Sequence, residues 1–490
     1  MNPIAELLVP AIHWHRDGGF TPARPVIERA LAVGVGGFVV YGGETDAVLT
    51  LMRELRKRTR TPLLIASDVE RGAGQQFAGA TGLPPLAALA ALGDLDALRR
   101  AARLTAKETR TLGVNWAFAP VCDLDLVPEN PIVGTRSLGS DPVVVAKLVR
   151  VWIEACQAEG VLATAKHFPG HGRTTADSHT VLPRVDATDD ELHESDVIPF
   201  RAAIDAGVAS IMTAHVAFPA LDPSGAPATC SRDIIQGLLR TALNYDGLVV
   251  TDAVGMAGML EGTTEPEGAV LALAAGCDLI LGPTDLDATL AALARAVDEH
   301  VLDAQQVQRS LRRRRKWAQW ASPPDDFRKP SAADIAWGVQ LTDRVVHLVR
   351  GTPPNVRAPI EIAVIDDDAG GAELPPSRDS LFEALRSGGA QARRVTGPTP
   401  GARSTFVVAL FGEIRAHKGR VGYSEATLAN VAEVAGAAER AGREAMIVQF
   451  GDPRQVPSIP SSLPVVSAWG GEAGMQAAAA RWLLVRRGGG

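Results

Sequence analysis

The stretch Ala165-Lys166-His167-Phe168-Pro169-Gly170-His171-Gly172-Arg173-Thr174-Thr175-Ala176-Asp177-Ser178-His179 gathers a lysine, three histidines and an aspartate into one short segment. Such a set suits a site that binds a polar ligand and moves protons. The segment follows an apolar run, Gly160 to Thr164, that reads as a buried strand. Gly and Pro punctuate what comes next, as in a loop whose backbone approaches a ligand closely. Asp177 and His179 lie two apart, so in extended chain both side chains face the same way. A carboxylate beside an imidazole fixes its tautomer and favours its charged form. Two other readings are open at this point: a solvated surface loop, or a zinc site made of His167, His171, Asp177 and His179.

The elements that must position these residues come from hydrophobic periodicity. Short apolar runs at Leu7–Ile12, Gly37–Tyr41, Leu63–Ser67, Asn115–Val121, Val161–Ala165, Ser210–Ala214, Leu248–Thr251 and Asp278–Leu281 alternate with amphipathic stretches such as Ala97–Leu112, Val143–Glu159 and Ile234–Leu243. Strand–helix alternation implies parallel strands with right-handed crossovers. Eight such units in the first two-thirds of the chain predict a (β/α)8 TIM-type barrel. A barrel gathers its chemistry at the C-terminal ends of its strands. There the sequence sets Asp68, then Asp123 and Asp125, then Lys166 and His167, then His215, then Asp252. Any one of these could be a structural cap; their convergence on one rim favours a ligand pocket. No Gly-x-Gly-x-x-Gly or Walker lysine loop follows any of the runs, which argues against nucleotide binding.

The chain has 490 residues, so two domains are expected, and a hydrophobic fraction of 46 % can supply a sizeable core. The predicted boundaries are a barrel over 1–321, a linker over 322–334 and a smaller α/β sandwich-like domain over 335–490. That last region has apolar runs at Ile360–Ile365, Phe406–Leu410, Ala445–Phe450 and Val465–Ala468, with helical patterns at Leu381–Arg386 and Ala426–Ala441. A formal charge of −7 argues against a nucleic-acid partner. The basic runs Arg53–Arg58 and Arg312–Lys316 read as solvated helix faces. Cys122, Cys156, Cys230 and Cys277 are widely spaced, so neither a disulfide framework nor a zinc ribbon is signalled. The start lacks a basic n-region, and the most apolar window, Ala269–Leu281, is broken by Gly276 and Asp278. The expectation is a cytoplasmic protein without a membrane span.

Five segments together resemble the family 3 glycoside hydrolases, in their bacterial β-N-acetylglucosaminidase branch. They are Gly134-Thr135-Arg136-Ser137-Leu138-Gly139, Lys166-His167-Phe168-Pro169-Gly170-His171-Gly172, Asp177-Ser178-His179, Met212-Thr213-Ala214-His215 and Asp246-Gly247-Leu248-Val249-Val250-Thr251-Asp252. The resemblance covers the barrel region strongly and the C-terminal region in outline. It implies a retaining mechanism with Asp252 as nucleophile, His179 as acid/base and Asp177 as its partner. It implies sugar binding by Asp68, Arg136, Lys166 and His167, with His215 and Met256 lining the pocket. A carboxylate accepts from sugar hydroxyls, while Lys and Arg donate. An imidazole, with a reference pKa of about 6.5, serves as acid and then as base near neutrality. No metal or organic cofactor is implied.

The segment Asp68-Val69-Glu70-Arg71-Gly72-Ala73 departs from the Asp-x-Glu-Gly-Gly-Arg of the family: Ala73 stands at the sugar-binding arginine and Arg71 at a glycine. Either Arg71 or Arg136 is expected to bring a cation to the sugar. The resemblance implies an exo-acting β-N-acetylglucosaminidase whose small carbohydrate substrate is a GlcNAc-containing cell-wall fragment of the kind met in peptidoglycan recycling. The alternatives are a β-glucosidase, a glycoside phosphorylase (a neutral histidine repels phosphate less than a carboxylate does), a non-catalytic sugar-binding or cell-wall-sensing protein, and a zinc hydrolase. No oligomeric state follows from the sequence.

Overall fold

A computed structural model describes residues 3–322, 327–368, 375–414, 418 and 420–486. These form two compact units, one of Met1–Gly82 with Asp94–Ile335, the other of Leu83–Gly93 with Ala336–Gly490.

The first unit is the predicted barrel. Its strands are β1 (Leu8–Val9), β2 (Ala11–His13), β3 (Gly37–Tyr41), β4 (Leu64–Ser67), β5 (Trp116–Ala117), β6 (Leu162–Phe168), β7 (Ser210–Thr213), β8 (Leu248–Ala253) and β9 (Leu279–Leu281). The sheet runs β1-β9-β8-β7-β6-β5-β4-β3-β2. Pro10 divides the first stave, whose β1 half pairs with β9 and whose β2 half pairs with β3, all in parallel. The nine strands are therefore eight staves, and the ring closes. Strands buried on both faces read as unbroken apolar runs, which is why all eight were visible in the sequence. One boundary differs. The fifth stave continues through Lys166 and His167 to Phe168, where a loop was expected, because Lys166 O still accepts from Cys122 N and Phe168 still pairs with Thr213.

The crossover helices start and stop on sequence signals. The helix Leu95–Leu112 is capped by Asp94, which accepts from the Asp96 and Ala97 amides, and ends at Gly113 with φ of 95°. The helix Pro142–Gln157 has Asp141 as its cap and Pro at its first position. The second basic run lies on the helix Ala304–Trp320, but it is not wholly solvated. Arg314 is fully buried and donates to the Gly36 and Pro62 carbonyls, which lie just before the strands β3 and β4.

The second unit carries β10 (His347–Arg350), β11 (Ile360–Asp366), β12 (Ala392–Val395), β13 (Phe406–Gly412), β14 (Ala445–Gly451) and β15 (Val465–Ser467), in the order β10-β15-β14-β13-β11-β12. All pairs are parallel except β10 with β15. Alternate residues of β13 feed two cores. Val407, Ala409 and Phe411 join one with the helices Asp379–Ser387 and Ala473–Val485, and Phe406, Val408 and Leu410 join the other with the helix Glu425–Arg440. This is the expected layered sandwich. The short helix Leu86–Ala91 lies in the segment that groups with this unit, and Ala88 joins its first core. Of the expected linker, residues 323–326 lie outside the described residues, and its last residues already form the helix Ala332–Val345.

Candidate active site

Parallel pairing puts the C-terminal ends of all eight staves on one rim. Asp68 and Glu70 follow β4, Asp123 follows β5, Lys166 and His167 end β6, His215 follows β7, and Asp252 lies near the end of β8. On one side of the rim stands a buried charge cluster. Lys166, whose side chain is 2 % exposed, reaches Asp68 Oδ1 at 2.6 Å and Glu70 Oε1 at 2.8 Å. Arg136 grips Glu70 with two bonds, Nε to Oε2 at 3.0 Å and Nη2 to Oε1 at 2.7 Å. Burial alone would push the Glu70 carboxyl up; Arg136 and Lys166 reverse this and hold it well below the usual carboxylate range. Burial likewise opposes the Lys166 charge, but Asp68 and Glu70 outweigh it and raise the ammonium's pKa. Asp68 keeps 27 % of its side chain exposed, so it can also accept from a ligand hydroxyl.

Opposite the cluster is Asp252. Its Oδ1 accepts from Ala253 N at 2.8 Å, and its Oδ2 lies 4.0 Å from His167 Nε2. Burial raises its pKa, yet the facing His167, His215 and His179 bring it down to about 2, so the carboxylate is ionised at neutral pH. His167 is aimed from behind: buried Asp123 accepts from His167 Nδ1 at 2.7 Å and from the His167 amide at 3.0 Å. With Nδ1 so occupied, Nε2 faces the pocket.

The loop after β6 carries the expected dyad. Asp177 Oδ1 accepts from His179 N and from His179 Nδ1, both at 2.8 Å, which fixes the orientation of the ring. The loop is fixed at several points. Buried His171 joins Thr174 through Nδ1 at 2.7 Å and Ser178 through Nε2 at 2.9 Å. Burial pulls its pKa down to about 4, so it is a neutral strut. Gly258 N donates to Ser178 O at 2.9 Å, and a Cβ at Gly258 would lie 2.9 Å from that oxygen, so only glycine admits the approach.

The remaining expected residues are placed as follows. His215 is buried with Nδ1 on Thr229 Oγ1 at 2.8 Å and Nε2 on Ala253 O at 3.1 Å, so it braces the backbone next to Asp252. Met256 is buried just before the short helix Ala257–Leu260. Arg71 turns its guanidinium to Thr135 Oγ1 at 3.3 Å, beside Arg136, and Ala73 is buried. The four groups of the zinc reading hold protein partners instead: His167 on Asp123, His171 on Thr174 and Ser178, and His179 on Asp177. Among the described residues no group of three or more His, Cys, Asp or Glu is arranged to hold a metal ion. Two residues that build the site, Glu70 and Asp123, carry no role in the sequence expectation. Glu70 stood unremarked in its motif, although Asp-x-Glu directly after a strand is a signal of paired acids. Asp123 was visible only as one more acid at a strand end.

Comparison with known proteins fits this geometry. The model of the glycosyl hydrolase family 3 N terminal domain matches residues 31–315. A β-N-acetylglucosaminidase/β-glucosidase of Cellulomonas fimi is 35 % identical over 288 residues, covering 57 % of this chain and 51 % of that protein. The chain thus spans about half the length of that relative. A β-hexosaminidase of Chromobacterium violaceum is 33 % identical over 304 residues, covering 59 % of this chain and 84 % of that one. Among solved structures, a family 3 β-N-acetylglucosaminidase from Paenibacillus sp. superposes with a TM-score of 0.84 at 28 % identity, over 99 % of this chain and 96 % of that one.

Proposed function

The chain belongs to glycosyl hydrolase family 3, and from that premise we propose that it is a retaining exo-β-N-acetylglucosaminidase. The observation that carries the proposal is an ionised Asp252 on the same barrel rim as the Asp177–His179 dyad, near enough for the His179 ring to act on its charge. In the first step the Asp252 carboxylate attacks the anomeric carbon. The bond to the leaving oxygen breaks, and that oxygen takes a proton from His179. The products are a glycosyl ester on Asp252 and a free alcohol. In the second step the now neutral His179 takes a proton from water. The resulting hydroxide equivalent attacks the same carbon and releases Asp252 with the original configuration restored. Asp177 stabilises the charged imidazole and fixes its tautomer. Asp68, Lys166, His167 and Arg136 hold the sugar hydroxyls, and Glu70 and Asp123 hold those groups.

The machinery falls within the proposed catalytic domain, residues 1–321. The substrate in this reading is a GlcNAc-containing cell-wall fragment met in the cytoplasm, supported by the β-hexosaminidase and β-N-acetylglucosaminidase relatives. Among the described residues no helix is long and apolar enough to cross a membrane. The name of the Cellulomonas relative makes β-glucosidase activity the second reading. Kinetics on aryl β-glycosides of GlcNAc, glucose, xylose and GalNAc, with and without phosphate, test both. The reading requires kcat/KM to be highest for GlcNAc with water as acceptor. Preference for glucose, or phosphate-dependent turnover, would replace it.

A further inference from the structure

The proposed mechanism draws on the ends of β4 to β8 and leaves β9, β1/β2 and β3 without a part. The register of the barrel shows what those strands present at the same rim. Trp116 on β5 donates its indole N–H to Thr164 on β6 and to Ser210 on β7, a span across two staves that runs through the barrel interior. Trp116 therefore points inward. Its pairing partner on β4 is Ala66, which pairs with Val39 on β3, which pairs with Ala11 on β2. Paired residues in parallel strands share a face, and side chains return to a face every two residues. Two positions on, Asp68, Tyr41 and His13 thus project on the inner side of the mouth. Lys166, two residues beyond Thr164, does the same and bonds Asp68. His13 and Tyr41 are themselves paired in register, and their rings stack with centroids 5.0 Å apart at 17°. His13 is exposed and Tyr41 half-buried.

The stack sits on a built support. Trp14 N donates to Tyr41 O at 2.8 Å, and the Trp14 ring meets Phe20 edge-on. Gly19 and Gly42, with φ of 57° and 74°, make room for Trp14: a Cβ at either would lie 3.1 Å from its side chain. Gly42 N also donates to Gln76 Oε1 at 3.0 Å, tying this end of β3 to the loop in which Ala73 replaces the arginine expected from the resemblance.

We infer that the stacked His13–Tyr41 pair is a specificity wall, against which the C5–C6 end of the bound sugar packs. The inference rests on the glycosidase reading. In a ring of eight staves β2 lies opposite β6, and β6 leads into the loop of Asp177 and His179, which addresses the bond at C1. A sugar ring with C1 at Asp252 and His179 directs its far end away from them, past Asp68, to β2 and β3. Sugar C–H groups there meet aromatic faces, a contact that recognises the hydroxymethyl arm by shape. In a pocket without a cation at position 73, this wall takes up part of the recognition of the sugar end beyond Asp68.

The test is a cycle of variants and substrates. The 4-nitrophenyl β-glycoside of GlcNAc is compared with its analogue lacking the exocyclic hydroxymethyl carbon, on wild type, His13→Ala, Tyr41→Ala and Tyr41→Phe, with melting temperatures to verify folding. Wild type and Tyr41→Phe should lose roughly tenfold or more in kcat/KM when the hydroxymethyl group is removed. His13→Ala and Tyr41→Ala should lose less than about threefold, because the surface it met is gone. The ratio of disaccharide to nitrophenyl activity should be the same in all four proteins. Equal losses in every protein would overturn the inference, as would a change in that ratio, which would put the pair on the leaving-group side. Wild type inactive on every aryl glycoside would instead remove the glycosidase reading, and the wall with it.

Discussion

Glu70→Gln isolates the group on which the sugar-binding side of the pocket depends. The Glu70 side chain is 4 % exposed and receives three charged bonds, two from Arg136 and one from Lys166. Breaking a buried ion pair from one side typically costs about 3–5 kcal/mol. The amide keeps the shape and one acceptor, and Lys166 keeps Asp68, so a loss of about 2–4 kcal/mol is expected. For a barrel unit of this size that lowers Tm by roughly 3–6 °C. Because Arg136 then loses its clamp and Lys166 one of its two partners, kcat/KM should fall by roughly 10- to 100-fold, with much of the loss in KM. The pH dependence has a definite sign. The folded pKa of Glu70 is held below its unfolded value of about 4.5, so its contribution is fully present above that pH and is lost as pH falls through the folded pKa. The stability gap between wild type and variant should therefore be constant near neutrality and narrow below about pH 4.5. Denaturant titrations across pH 3–8 and Michaelis kinetics at pH 7 measure both effects. A variant with unchanged Tm and kcat/KM, or a gap that widens in acid, would refute the reasoning.

Three further predictions follow from the same geometry. His179→Ala should lose far more glycosylation activity on a GlcNAc disaccharide than on a nitrophenyl GlcNAc, because nitrophenolate leaves without a proton, and azide should partly restore the second step. Equal losses on both, with no azide effect, would give His179 another role. The buried neutral His171 has a pKa of about 4 against 6.5, so unfolding takes up a proton in that window, and stability should decline as pH drops from about 6.5 to about 4, by ~3 kcal/mol at most. His171→Gln should flatten that decline in a denaturation series, and an unchanged slope would assign it elsewhere. Arg71→Ala should lower kcat/KM by less than about tenfold, since Arg71 turns to Thr135, and Arg136→Ala by more, since Arg136 is clamped to Glu70 at the pocket. The reverse order would make Arg71 the cation that replaces the arginine missing at position 73.

The barrel was legible because a parallel strand covered on both faces is an apolar run, as at Gly37–Tyr41 or Leu248–Thr251, and because parallel strands send their last residues to one rim. That rule alone lined up Asp68, Lys166, His167, His215 and Asp252. What it could not supply was pairing across the rim. Glu70 meets Arg136 from 66 positions away, and Asp123 meets His167 from 44, distances at which periodicity carries nothing. Arg314 sat in a run of like charges and read as solvated, because its carbonyl partners, Gly36 and Pro62, carry no side-chain signature. The edge strands β10 and β12 were missed for a related reason. His347-Leu348-Val349-Arg350 and Ala392-Arg393-Arg394-Val395 are largely exposed, and polar edge strands lack the apolar run that marks the interior ones. The hold of Gly258 on Ser178 is a backbone contact and equally silent in sequence.

The central claim is that Asp252 forms the covalent bond to the sugar. Incubation with a fluorinated GlcNAc inactivator of the 5-fluoro type, which slows release of the intermediate, followed by proteolysis and mass spectrometry, tests it directly. The account predicts one added sugar per chain, carried by the peptide containing Asp252, with Asp252→Asn unlabelled and reduced at least about a thousandfold in turnover. A label on another carboxylate, or an active enzyme that releases the inverted anomer and carries no label, would contradict it.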